Sequence, residues 1–72
     1  MKTTKQHING QVIYRVDDTE FFVYYNPSVW GKLKWVIDSE NKDLLKSYLD
    51  SNDQLWIDRY EAVDMIHDFL RK

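Results

Sequence analysis

Apolar and polar residues alternate through the first half of the chain and then change rhythm. In Gln11–Val16 the apolar side holds Val12, Tyr14 and Val16. In Glu20–Tyr25 it holds Phe21, Val23 and Tyr25, and in Lys32–Asp38 it holds Leu33, Trp35 and Ile37. A period of two over five to seven residues, rich in β-branched and aromatic side chains, predicts three strands. Between the first two lies Asp-Asp-Thr-Glu (17–20). A loop of two or four residues there pairs Val16 with Phe21, Tyr14 with Val23 and Val12 with Tyr25, because cross-strand partners share a face.

Asn9-Gly10 is a hairpin signal, since both residues tolerate the positive φ of tight turns, so residues 3–8 are expected to form an edge strand. A two-residue turn would direct His7 inward beside Val12, and a three-residue turn with a bulge would direct Ile8 inward. Polarity favours the second. Pro27 lacks a donor and ends the strand after Tyr25, and Gly31 permits the chain to reverse before the next strand.

From Lys42 the period becomes helical. Leu44, Leu45, Tyr48 and Leu49 fall on one side of a first helix, with Lys42, Asp43, Lys46 and Asp50 on the other. After a short Gln54–Ile57 segment, Asp58 and Glu61 have the spacing of a capping box, and Ile57 and Ala62 that of a hydrophobic staple. Ala62, Val63, Met65, Ile66, Phe69 and Leu70 form the apolar arc of this second helix, and Arg71 and Lys72 suit the negative end of its dipole. The expected architecture is therefore α+β: an antiparallel meander of three to four strands followed by two helices packed on one face, with residues 1–72 forming one domain.

Composition narrows the picture. A chain of 72 residues has room for one small core, and 15% aromatic residues are the means of filling it. With no cysteine, disulfides and thiolate metal sites are excluded, which fits a reducing compartment. Twelve acidic against ten basic residues give a net charge of −2, so the overall field does not draw a polyanion. The first residues lack the apolar stretch of a secretory leader, and no run approaches the roughly 20 apolar residues that span a bilayer. A cytoplasmic location without membrane attachment is expected.

Catalytic material is thin. His67, one helical turn from Asp64 and beside Asp68, invites a metal or acid–base reading, but the helical wheel puts it at the border of the polar face, where a solvated histidine is expected. Gly31-Lys32 lacks the glycine-rich lead and the following Ser or Thr of a phosphate loop, and the carboxylates of residues 17–20 lack the ligand spacing of a calcium loop. Asp58, Glu61, Asp64 and Asp68 make an acidic side on the last helix, read as a solvated face. No catalytic residue, cofactor or metal is expected.

Two surface features remain. Strand parity sends Ile13, Arg15, Phe22, Tyr24, Lys34 and Val36 to the sheet face away from the helices, which two helices in so short a chain leave open. Trp30, with Lys32 near it, lies in the turn that follows Pro27. Aromatics mixed with Arg and Lys suit a minor core beneath the N-terminal arm, a protein contact, or a platform for stacking bases. The function expected is that of a non-catalytic intracellular protein-binding module, an inhibitor or adaptor, using Ile13, Arg15, Phe22, Tyr24, Trp30, Lys32 and Lys34 against another protein or a second copy. The alternative is a single-stranded nucleic-acid binder using the same face.

Overall fold

In the computed structural model, which describes residues 3–71, the alternating segments form β1 (Thr3–Ile8), β2 (Gln11–Val16), β3 (Phe21–Tyr25) and β4 (Trp35–Ser39). The helical segments are α1 (Lys42–Leu49) and α2 (Arg59–Arg71), and the two-residue strand β5 (Leu55–Trp56) lies between them. The sheet is an antiparallel meander in the order β1-β2-β3-β4-β5. This is the expected α+β arrangement with one addition. Gln54 accepts from Ile37 N–H at 3.0 Å and donates its side-chain amide to Ile37 C=O at 3.1 Å, which draws the interhelical segment onto the edge of β4 as a fifth strand.

Register follows from face matching. Tyr14 pairs with Val23, Val23 with Ile37, and Tyr25 with Trp35. One face of the sheet therefore carries Val16, Phe21, Val23 and Ile37, all fully buried against Tyr48 of α1 and Ala62, Val63 and Ile66 of α2. Both helices thus cover the same face. Aromatic edges complete this core: Tyr48 meets Phe69 with ring centroids 5.4 Å apart and Phe21 at 5.8 Å, both edge-on. Asn41 caps α1 by accepting from Leu44 N–H at 3.1 Å. Asp58 accepts from Glu61 N–H at 2.8 Å, the forward half of the expected capping box, while Ile57 stays 55% exposed and does not staple the helix. Lys72 lies outside the described residues.

Further expectations, for one turn and for four apolar side chains, are corrected. The β1–β2 turn is the two-residue Asn9-Gly10, with φ of 50° and 78°, and Ile8 opposes Gln11. Two positive φ values match the right-handed twist of the strands, and this local preference outweighs the polarity of His7. Neither alternative carries a burial penalty, because His7 and Ile8 are both exposed at the outer strand. Leu33 falls before β4 and is 46% exposed, and Tyr25 is 48% exposed although its ring packs edge-on against Trp35 at 5.5 Å. Leu49 and Leu70, at the margins of their helical arcs, are also exposed.

Candidate functional site: the open sheet face and the Trp30 loop

Residues of odd parity to the core build the opposite face. Cross-strand pairs Ile13↔Tyr24, Arg15↔Phe22, Phe22↔Asp38 and Tyr24↔Val36 set these side chains side by side. Ile13 and Val36 are buried, at 6% and 4%, under their longer neighbours, so Ile13 is floor rather than contact surface. Phe22 and Tyr24 are half-buried and lean together with centroids 6.3 Å apart. Above the floor is a shallow depression of about 400 Å³ bordered by Ile8, Gln11, Arg15, Phe22, Tyr24 and Glu40. Ile8 belongs here because the two-residue turn sends it to this face, the reverse of its expected side.

Polar groups close one end. Arg15 is ion-paired with Glu40, and Lys42 with Asp38 at 3.0 Å. The Arg15 guanidinium, by hydrogen bond and by charge, holds the Glu40 carboxyl below its ordinary value. Burial, helped by the Asp38 charge and opposed by Lys42, raises the Tyr24 phenol. Asp38 and Glu40 were not among the residues expected here. Parity alone would have placed Asp38, whereas Glu40 lies beyond the strand, where alternation no longer applies.

The loop between β3 and β4 is braced. Asn26 N–H donates to Lys34 C=O at 2.8 Å, Val29 N–H to Asn26 C=O at 3.2 Å, and Ser28 N–H to the Asn26 side chain at 3.1 Å. Lys34 Nζ donates to Val29 C=O at 2.6 Å and Pro27 C=O at 3.2 Å. Gly31, at φ 97°, makes the reversal that other residues resist. At the tip Trp30 is 97% exposed, beside exposed Lys32. Lys34 is therefore a clamp inside the loop rather than a free cation on the sheet.

His67 is half-buried, with Nε2 shielded and without a partner among the described residues, rather than solvated. Among the described residues no helix is long and apolar enough to cross a membrane. No protein-family model matches this chain, and comparison with curated proteins and with solved structures finds no match either.

Proposed function

We propose that the chain is a non-catalytic protein-binding module of the cytoplasm, an inhibitor or adaptor, that meets its partner through Trp30 and the aromatic strip of the open sheet face. The carrying observation is the exposure of Trp30, 97%, at the tip of a loop whose carbonyls are tied down by Lys34. A large apolar ring in water gains by burial, and a braced loop loses little entropy when a partner covers it. Tryptophan anchors of this kind contribute about 2 kcal/mol or more to an interface. Phe22 and Tyr24, half-buried beside a shallow depression, extend the apolar surface.

Nucleic acid is the weaker reading. It needs cations free to meet phosphates, and Arg15 is paired with Glu40 while Lys34 is bonded to loop carbonyls. The test is affinity capture from a cell extract with wild type, Trp30→Ala and Phe22→Ala, each first shown to be folded by circular dichroism. Proteins retained by wild type and lost with both variants support the reading. No retention, or identical retention by all three, refutes it, and so does quenching of Trp30 by a single-stranded oligonucleotide at low salt. A sedimentation series over protein concentration identifies a second copy as the partner.

A further inference from the structure

The outer strand and the flank of the last helix form a second surface, on the other side of the molecule. β1 ends the sheet, and its substantial contacts are with β2 alone. The pair that closes a two-residue turn exchanges both main-chain hydrogen bonds, so Ile8↔Gln11 is such a pair, and alternation carries the pattern to Gln6↔Ile13 and Thr4↔Arg15. Ile8, Gln6 and Thr4 therefore face β2. Thr3, Lys5 and His7 turn their main-chain N–H and C=O groups to the free edge, where no strand among the described residues lies beside them.

Side chains of these three residues stand on the helix-bearing face, because Lys5 opposes Tyr14 and cross-strand partners share a face. There the flank of α2 walls a trough of about 490 Å³, with Thr3 on one side and Arg59, Tyr60, Asp64, His67 and Arg71 on the other. The Arg59 guanidinium sits 4.2 Å from the Tyr14 ring centroid and 4.8 Å from that of Tyr60, and donates to the Tyr60 hydroxyl at 2.9 Å. Stacking fixes its plane while leaving other N–H donors without partners among the described residues.

Among the described residues the ion pairs are Arg15–Glu40 and Lys42–Asp38, so Lys5, Arg59 and Arg71 enter into none. Asp64 is the one carboxylate in the trough wall. Two arginines against one carboxylate in the trough wall, with Lys5 on the same face of the sheet, make this region positive on a chain of net charge −2. At about 1.5 Å per residue, Arg59 and Arg71 lie about 18 Å apart along the helix, too far for one small anion to meet both. An extended peptide, at about 3.3 Å per residue, covers that span in five or six residues.

We propose that the free edge of β1 and the basic flank of α2 form one docking ledge for an extended acidic peptide segment. The segment adds as a further strand beside β1, and its alternate side chains, on the helix-bearing face, direct carboxylates at Lys5, Arg59 and Arg71. A second copy of β1 fits poorly. Antiparallel self-pairing sets Lys5 against Lys5, His7 or Thr3 of the other copy, with no carboxylate to meet it. The ledge extends the protein-binding reading to a surface that does not involve Trp30 or Phe22.

Fluorescence anisotropy of the full chain with a labelled synthetic peptide alternating glutamate with valine tests the ledge, with lysine replacing glutamate in the control peptide. The glutamate peptide should bind at least about tenfold more tightly than the control and lose about tenfold on Arg59→Glu. His7→Pro should abolish binding in a folded protein, since it removes an outward N–H but none of the bonds to β2. Slowed amide exchange at Thr3, Lys5 and His7 should accompany binding. Trp30→Ala and Phe22→Ala should leave it unchanged, so the ledge and the open face stand or fall separately. Equal affinity for the two peptides, binding by neither, or binding unaffected by His7→Pro overturns the proposal. Protection of the same amides by a single-stranded oligonucleotide or by self-association also overturns it.

Discussion

Tyr48 joins four parts of the fold, and two substitutions there separate its ring from its hydroxyl. The side chain is fully buried, edge-on to Phe21 of β3 and Phe69 of α2. Its hydroxyl donates at 3.1 Å to the Asp53 carbonyl, which also accepts from Trp56 Nε1 at 2.9 Å. Tyr48→Phe removes one hydrogen bond, worth about 1 kcal/mol net, and leaves the Asp53 carbonyl served by the indole, so no acceptor is stranded. Tyr48→Ala removes a buried ring and leaves a cavity, a loss of about 3–5 kcal/mol. At roughly 0.05–0.15 kcal/mol per residue the whole fold is stable by only about 4–11 kcal/mol, so the alanine variant is near the edge of folding.

Urea titration followed by tryptophan fluorescence measures both. With a slope near 1 kcal/mol per molar for a small domain, Tyr48→Phe should lower the midpoint by about 1 M. Burial, reinforced by the Asp53 charge and opposed by the Trp56 contact, raises the Tyr48 phenol above 10.0. A raised acid favours its neutral form in the folded state. Its contribution is thus complete below the unfolded value and is lost as pH climbs through the folded one. Wild type should weaken above about pH 10, and Tyr48→Phe should weaken less over the same range. A loss of more than about 3 kcal/mol for Tyr48→Phe, or under about 1 for Tyr48→Ala, would refute this division between hydroxyl and ring.

Other outcomes follow from single observations. At Gly10, φ is 78° and an added Cβ meets nothing within 4 Å, so Gly10→Ala carries a purely conformational cost of about 1 kcal/mol, seen as a fall of about 4–8 °C in Tm. Ser39 is fully buried, donates to Glu20 C=O at 3.0 Å and accepts from Asn41 N–H at 3.1 Å. Ser39→Ala strands the Asn41 N–H, while Glu20 C=O keeps its 3.1 Å bond from Glu40 N–H, and should cost about 1–3 kcal/mol in the same titration. The Glu40 carboxyl is held low by Arg15, so what it contributes is present above the ordinary carboxylate range and lost as pH falls through its folded value. Glu40→Gln should therefore leave acid unfolding less steep than in wild type, and an unchanged or steeper profile would show that the pair plays no part.

The sequence was most legible where one face of an element is buried. Tyr14, Val16, Phe21, Val23 and Ile37 alternate because helices cover one side, and a slip of one residue would expose them all, so face matching together with the short loop at 17–20 recovers the β2–β3 register. It fails at β1 and at Leu33. There nothing is buried, no free energy separates the two parities, and turn geometry decides instead. The fifth strand escaped notice for a related reason: two residues are too few to show a period, and Gln54, which anchors them to Ile37, has an ordinary polar side chain.

Charges were less legible still, because a cation's role depends on what stands within reach of its tip. Arg15, Lys34 and Arg59 look alike along the chain, yet one is ion-paired, one clamps a loop and one is stacked between two tyrosines. The position of the third follows from dimensions. A helix is about 10 Å across and strands are about 4.8 Å apart, so two helices cover roughly four strands. This sheet has five, and α1 packs on β4 while α2 packs on β3, β4 and β5. The strand left over is β1, farthest from both helices, so its edge and the flank of α2 that faces it are both uncovered. Adding β5 to the far side of the sheet draws the helices that way and leaves open the ledge on which Lys5 and Arg59 stand.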